Sequence, residues 1–348
     1  MSGRGAGPKL LILEGDGIGP EIVATTDSRG RRPQGGLDMQ IAFIGFGEAA
    51  RAFTDSLQER PDAPGFRAYD IRMDAEMAGA MESRRVRLAG SPAEALKGAD
   101  WIISAVTADQ SLRAVEAAAP HLVQSQVLFD INSVSPGRKR ETARLVEGAG
   151  GAYVDMAVMA PVHPRGHATP VLLAGSEAER LAPELAALGF DLDVVGPEPG
   201  AATAIKMVRS LFVKGLEAIT VEALVAASAS GCFDRVYASL SKSYPGLGWP
   251  DCATYNFERT LRHGARRAAE MRESAATLDA LGLVGGLAAS VAEVQDRMGA
   301  LPLSALPEMD LAAAVAEIVR HRQNDDQGRS MAPPASSGQR AGRVIAAR

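Results

Sequence analysis

The chain has 348 residues, 46% of them hydrophobic, enough for one large domain or two ordinary ones. Its 37 Lys and Arg stand against 42 Asp and Glu, and a net charge of −5 argues against a general nucleic-acid binder. Two cysteines, Cys232 and Cys252, exclude a disulfide scaffold and a Cys-rich metal site; with no apolar run near the roughly 18 residues of a membrane span and no signal-like apolar stretch after Met1, the expectation is a cytoplasmic globular protein.

Residues 1–38 hold one short apolar run, Lys9–Leu13, and end in the Arg- and Gly-rich stretch Arg29–Gly36, which reads as linker or disordered chain. From Met39 the pattern becomes regular. Met39–Gly45 has the length of a buried strand, and Ala49–Leu57 follows with helical spacing. Further strands are expected at Phe66–Ile71, Trp101–Val106, Val127–Ile131, Tyr153–Met159 and Pro170–Ala174, with helix-like segments such as Ser91–Gly98 and Gln110–Ala119 between them. That alternation is the signature of an α/β fold, a Rossmann-type doubly wound parallel sheet covered on both faces. After about Gly200 the strands stop. Ala201–Ser230, Asn256–Leu283, Ala288–Met298 and Asp310–Arg322 all read as helix, so the second domain is expected to be all-helical. The expected divisions are an extension at 1–38, a nucleotide domain at 39–198, a helical substrate and dimerisation domain at 199–300, and a short helix with a disordered tail at 301–348; disorder is expected from residue 323 onward, where Gln, Asp, Pro, Ser, Gly and Arg dominate.

Gly45-Phe46-Gly47-Glu48-Ala49-Ala50 fits G-x-G-x-x-(G/A) between a predicted strand and a predicted helix. Glycines at these places permit a tight turn and close approach of a pyrophosphate to the backbone, and the helix start supplies free N–H groups. Asp70 closes the next strand 25 residues after Gly45, where an acidic side chain accepts from ribose hydroxyls. Its charge would repel a 2′-phosphate, so NAD is favoured over NADP, with Arg72 two residues on as a partial offset. The competing readings are a glycine turn in an unrelated α/β fold and a solvated carboxylate at a strand end.

Lys206, Ser210, Lys214 and Glu217 recur at helical spacing and share one face of the helix that opens the second domain. Ile205, Val208, Leu211, Phe212 and Leu216 are expected to supply its buried stripe, which leaves the polar face either solvated or turned toward a site. The order of three segments, the Met39 strand-turn-helix, Asp130-Ile-Asn132-Ser133-Val-Ser135-Pro136-Gly137 and Gly200…Lys206, resembles that of the β-hydroxyacid dehydrogenases, which include 3-hydroxyisobutyrate and 6-phosphogluconate dehydrogenases. The likeness runs from about Met39 to Met298 and is nearest to a branch with a distinctive phosphogluconate-dehydrogenase-like C-terminal domain. It implies a cleft between the two domains, a small hydroxy-acid substrate and a homodimer. By position it implies that Lys206 is the general acid/base, that Asn132 and Ser133 hold the substrate's carboxylate and hydroxyl, and that Thr107 lies beside the nicotinamide.

The chain departs from the family pattern at several places. Ser210 stands where the family has Asn, Ala202 replaces a glycine, and Met159-Ala160-Pro161 replaces the Ser-Gly-Gly substrate loop. His163 and His167 have a metal-ligand spacing, but Pro164 and Gly166 break the helix that the spacing needs, so no metal is expected. Arg259, Arg262, His263, Arg266 and Arg267 form a basic cluster in which His263 matches a substrate-facing position of the family; the alternative is a helix face neutralised by Glu258, Glu270 and Glu273. Residues 9–23 separately resemble the opening of isocitrate and isopropylmalate dehydrogenases, and are expected to contribute no catalytic residue. The expected function is hydride transfer between NAD(P) and a small hydroxy acid. Imine or oxo-acid reduction on the same scaffold, oxidative decarboxylation and a non-catalytic nucleotide sensor are the alternatives.

Overall fold

A computed structural model describes residues 39–331 apart from Ser304 and Pro307. The readings placed on residues 1–38 and on the tail after 331 lie outside the described residues. The first part alternates strand and helix: β1 (Gln40–Ile44), α1 (Glu48–Gln58), β2 (Gly65–Tyr69), α2 (Ala75–Glu82), β3 (Arg87–Leu88), α3 (Pro92–Leu96), β4 (Trp101–Ser104), α4 (Ser111–Ala118), β5 (Val127–Asp130), α5 (Pro136–Gly148), β6 (Ala152–Val158), β7 (Val171–Ala174), α6 (Ala178–Ala187) and β8 (Leu192–Gly196). Helices α7 (Ala201–Ala229), α8 (Phe233–Ser243), α9 (Asp251–Ala280), α10 (Gly285–Gly299) and α11 (Leu311–Met331) follow. Among the described residues no helix is long and apolar enough to cross a membrane.

One eight-stranded sheet runs in the order β3-β2-β1-β4-β5-β6-β7-β8. Every neighbouring pair is parallel except β6 and β7, which pair antiparallel from Asp155 opposite Ala174 to Val158 opposite Val171. The sheet is therefore doubly wound, as expected, with its last two strands, β7 and β8, running opposite to the other six. Phe43, Trp101, Phe129 and Val154 pack on one face against Phe53 and Leu57 of α1, Met77 of α2 and Leu181 of α6. Ala42, Ile102 and Leu128 face the other way, against Leu96 of α3, Val115 of α4 and Val146 of α5. Strands buried on both faces read as unbroken apolar runs, which is why they stand out in the sequence. Strand order reverses between β1 and β4, and the crevice beyond their carboxyl ends is where such sheets bind ligands.

Three differences from the expected elements have plain causes. Helix α5 begins at Pro136 with Gly-Arg-Lys-Arg-Glu, a run too polar to show periodicity, and Lys139 inside it is fully buried. β8 is only half-buried at the sheet edge, so it lacks an apolar run. Helix α11 continues through residues 323–331, where disorder was expected; the segment holds no proline to stop it, the next being Pro333.

Ala202 at the start of α7 packs on Ala157 and Ala174, docking the helical domain onto the sheet. Beyond that point α7 lies against α9, and α9 against α10. Gly264 and Gly299 let α9 and α10 close in, since a Cβ on Gly299 would come 2.7 Å from the backbone nitrogen of Ala265. Polar residues take the buried side of α7: Lys214 is 4% exposed and Glu217 2%, whereas Val208 is 51%, Ile219 66% and Phe212 74% exposed. Ile205, Val208 and Phe212 of the stripe expected to be buried are exposed instead, while Ala218, Val221 and Leu224 join Lys214 and Glu217 on the side that packs on α9 and its neighbours.

Candidate active site

Gly45 ends β1 at a φ of +87°, a backbone conformation that side chains resist. Its N–H donates to Tyr69 O at 2.8 Å, and a Cβ there would meet Ala105 O at 2.5 Å. Phe46 is buried and lies edge-on to Phe43, so this residue offers the cleft only its backbone. Its N–H donates to Asp70 Oδ2 at 2.7 Å, while Asp70 Oδ1 accepts from Arg72 N at 2.9 Å. Arg51 Nε closes the turn from the helix side by donating to Phe46 O at 3.0 Å. Gly47 caps α1 without a side-chain hydrogen bond and has open space around it, so the first amides of the helix keep free N–H groups. Glu48 is exposed and Ala49 half-buried at that helix start, and Thr107 is exposed just beyond β4. Thr107 and then Gln110 bond the Asp109 carboxyl and hold it below its usual range. A dinucleotide's pyrophosphate fits this turn on chemical grounds: free donors, no side chain in the way, and an acidic group at the ribose position.

Asn132 is placed differently from the expected substrate contact. Its Oδ1 accepts from Val106 N at 2.7 Å, and its Nδ2 donates to Ser104 Oγ at 2.9 Å and Ser111 Oγ at 3.3 Å. Both amide hydrogens are used, so Asn132 ties the end of β4 to the loop after β5. Ser133 is half-buried, and its Oγ accepts from Lys206 Nζ at 2.6 Å. The lysine of the second domain and the serine of the first thus meet across the cleft.

Beneath them lies a polar cluster that sequence reasoning missed. Lys139 Nζ sits 3.0 Å from Asp130 Oδ1 and 3.3 Å from Asp155 Oδ1, with all three side chains fully buried. Tyr153 donates its hydroxyl to Asp130 Oδ2 at 2.9 Å; burial, then the charges of Asp130 and Asp155, push its phenol well up. Asp155 accepts from Thr203 N at 2.9 Å and Thr203 Oγ1 at 2.7 Å, which fixes the first turn of the lysine-bearing helix to the sheet. One signal was available: an aspartate within the apolar strand Tyr153-Val-Asp155-Met-Ala-Val158 is costly unless paired. Lys139, in a charged run, offered none.

Helices α7 and α9 share a second set of charges. Lys214 pairs with Glu270 and donates to Ser210 Oγ at 3.3 Å. Arg267 forks onto Glu217, with Nε 2.9 Å from Oε2. Glu273 accepts from Ser135 N at 2.7 Å, a bond between the two domains. The basic cluster therefore divides. Arg267 is structural, and Arg266 lies 3.8 Å from Glu270. Arg259 is half-buried with its Nε unpartnered, and the His263 imidazole is pushed down by burial and by Arg259 and Arg266. The Glu48 charge acts on His263 in the opposite sense.

Lys206 itself is held down to about 8 by burial, with Glu270 raising it and Lys214, Lys139 and Arg266 lowering it further. An amine near neutrality beside a serine hydroxyl can both take and give a proton. The two histidines part company. His163 is exposed beside Gly47 and Arg51, in a surface cavity of about 410 Å3, whereas His167 is buried with its Nδ1 2.7 Å from Ser56 Oγ.

Residues 40–196 match the family model of the NAD binding domain of 6-phosphogluconate dehydrogenase, and residues 227–298 match a domain of unknown function, DUF1932. A conserved hypothetical protein from Sinorhizobium meliloti 1021, whose structure is solved, is 35% identical with a TM-score of 0.64, over 81% of this chain and 97% of that one. The 3-sulfolactaldehyde reductase of Escherichia coli is 25% identical over 224 residues, 61% of this chain and 74% of that protein. The 3-hydroxyisobutyrate dehydrogenase of Mycobacterium tuberculosis is 19% identical and shares the fold, with a TM-score of 0.63 over 81% of this chain and 99% of that one. With an NAD-binding domain followed by a helical domain of this kind, the chain belongs to the β-hydroxyacid dehydrogenase-like family of dehydrogenases and reductases.

Proposed function

We propose that the protein transfers a hydride between NAD and a small hydroxy acid, or the carbonyl compound formed from it, with Lys206 as general acid/base. The observation that carries this reading is the 2.6 Å contact between Lys206 Nζ and Ser133 Oγ, made at the carboxyl edge of the sheet by a lysine whose ordinary value is lowered to about 8. Gly47, Glu48 and Ala49 would hold the dinucleotide's pyrophosphate through free backbone N–H groups, with Gly45 and Phe46 shaping the turn, Asp70 would hold its ribose, and Thr107 would flank the nicotinamide. The bound nicotinamide accepts or donates the hydride.

In the oxidative direction neutral Lys206 takes the substrate hydroxyl's proton as the hydride leaves carbon; in reduction its ammonium form returns that proton to the carbonyl oxygen. Ser133 orients the same oxygen. Asn132 acts at one remove, holding the β4 loop that carries Thr107. Arg266 supplies positive charge for the acid group and His263, its imidazole kept neutral, a hydrogen bond; Ser210, joined to Lys214, replaces the family's Asn beside the lysine. Because only the neutral amine is a base, the oxidation rate should rise with pH and level off above about 8, and the reduction rate should fall above the same value. NAD is the better fit: Arg72 is compensated by ion pairs to Asp74 and Glu76, which leaves the charge of Asp70 facing a 2′-phosphate. The exposed apolar side of α7, with Val208, Phe212 and Ile219, is the face on which two copies would meet as a homodimer.

The test is NAD reduction at 340 nm over a panel of three- to six-carbon hydroxy acids, with NADH binding measured alongside. Turnover on a panel member, reduced at least about 100-fold in Lys206→Ala with NADH affinity retained, supports the reading. Full turnover in Lys206→Ala sinks it.

A further inference from the structure

Lys206, Ser210 and Lys214 stand one helical turn apart on α7, and Glu270 of α9 lies beside this row. Glu270 pairs with Lys214, Lys214 reaches Ser210 Oγ at 3.3 Å, and the other carboxylate oxygen of Glu270 is 3.8 Å from Arg266. Burying such a pair costs both groups their hydration, and well-packed apolar residues of the same size stabilise a helix interface as well or better. Fold stability therefore gives no reason for this pair to be here. Its position does: the lysine proposed to move the proton is one turn from Ser210, which Lys214 bonds, and Glu270 pairs with that Lys214.

We propose that Glu270 and Lys214 are positioning residues for Lys206, an opposed pair of charges whose balance decides whether that lysine is charged or neutral when the reaction needs it. The proposal rests on the reading of Lys206 as general acid/base. Around Lys206, Lys214 comes from its own helix, Glu270 and Arg266 from α9, and Lys139 from α5 beneath. Glu270 is the anion in that set; removing it leaves three cations facing Lys206, and the lysine stays neutral. Such an enzyme keeps its base and loses its acid. Removing Lys214 instead frees Glu270 to pair with Lys206 and lock it as ammonium, which keeps the acid and loses the base. Glu270, drawn opposite ways by burial and by the charges of Lys214 and Lys206, settles down at about 2 and stays ionised across the working range.

The two variants should thus act in opposite directions. The measurement is trace acetylation of the full chain with acetic anhydride between pH 6.5 and 10.5, read by mass spectrometry on the Lys206 peptide with exposed Lys97 as internal standard; no substrate is needed. Glu270→Gln should lower the Lys206 midpoint by about one pH unit, Lys214→Met should raise it by about as much, and Glu270→Asp should return it toward the wild-type value. Midpoints that stay within about 0.2 pH unit of wild type, or that move the same way in both variants, overturn the proposal. Should one variant fail to fold, the sign of the other decides. Lys206→Ala separates the two readings: shifted midpoints with undiminished turnover in Lys206→Ala remove the acid/base assignment alone, and fixed midpoints with a dead Lys206→Ala remove the charge pair alone.

Discussion

The helices on the sheet bury Phe53, Leu57, Val115 and Leu181 against the strands and keep groups such as Asp55 and Glu184 outside, whereas α7 buries Ser210, Lys214 and Glu217 and leaves Val208, Phe212 and Ile219 bare. Both patterns have helical periodicity, so periodicity alone cannot tell them apart. The difference lies in what each helix faces. A sheet face is apolar and takes an apolar stripe; α9 presents Arg267 and Glu270 among apolar residues such as Phe257 and Met271, and α7 answers with Glu217 and Lys214 beside Ala218, Val221 and Leu224. Buried ion pairs within a mixed interface, with Val208, Phe212 and Ile219 bare elsewhere on the helix, set α7 apart from the helices on the sheet.

The sharpest way to break this comparison is at the seam between the two regions. Lys139→Met leaves Asp130 and Asp155 buried against each other with no cation between them, and Asp155 is also the anchor of Thr203 on α7. Removing one partner of a fully buried pair costs about 3–5 kcal/mol, so the urea midpoint should fall steeply. A loss below about 1 kcal/mol would show that the cluster is not what docks α7 on the sheet.

That seam also marks where the sequence stops being legible. The six strands expected from apolar runs fall within two residues of their observed ends, because strands covered on both faces are mostly apolar along their length. The glycine turn was readable because Gly45 and Gly47 answer to local backbone needs. Ser133 and Lys206, 73 residues apart, were brought to one site only by the family resemblance, and the pairing of Lys214 with Glu270, 56 residues apart, was not readable. Charged residues on helices look alike whether they meet water or each other, and only the packing of α7 on α9 distinguishes them. Asn132 shows the converse, a residue in a motif position whose amide is spent holding β4.

The bare side of α7 is tested by Phe212→Glu. Phe212 touches little within the chain, so the stability of a single copy should change by no more than about 0.5 kcal/mol. If two copies meet on this face, an aromatic at its centre is worth about 2 kcal/mol, and light scattering should show dissociation at concentrations about 30-fold higher than for wild type. An unchanged mass across that range would place the contact elsewhere. A smaller effect is expected on the sheet side: Gly45→Ala must hold a positive φ and push on Ala105 O, a strain of about 1–3 kcal/mol that should weaken NADH binding about tenfold. Undiminished binding would mean that the turn is not part of the cofactor site.

The smallest expected effect is at Asp70, where two roles must be separated. Its carboxylate accepts from Phe46 N and Arg72 N, so it shapes the glycine turn whether or not it also meets a ribose. Replacement by Ala removes both acceptors and confounds the turn with specificity. Asp70→Asn keeps an oxygen for Phe46 N, deletes the charge and gives up only the acceptor for Arg72 N. A unit charge about 4 Å from a phosphate in a watery site is worth about 1 kcal/mol, so the preference for NAD over NADP should fall about fivefold while NADH affinity changes less. Arg72 is held by Asp74 and Glu76 and does not stand in for the lost repulsion by itself. A preference that stays fixed in Asp70→Asn would confine this aspartate to shaping the turn and move cofactor discrimination to residues beyond β2.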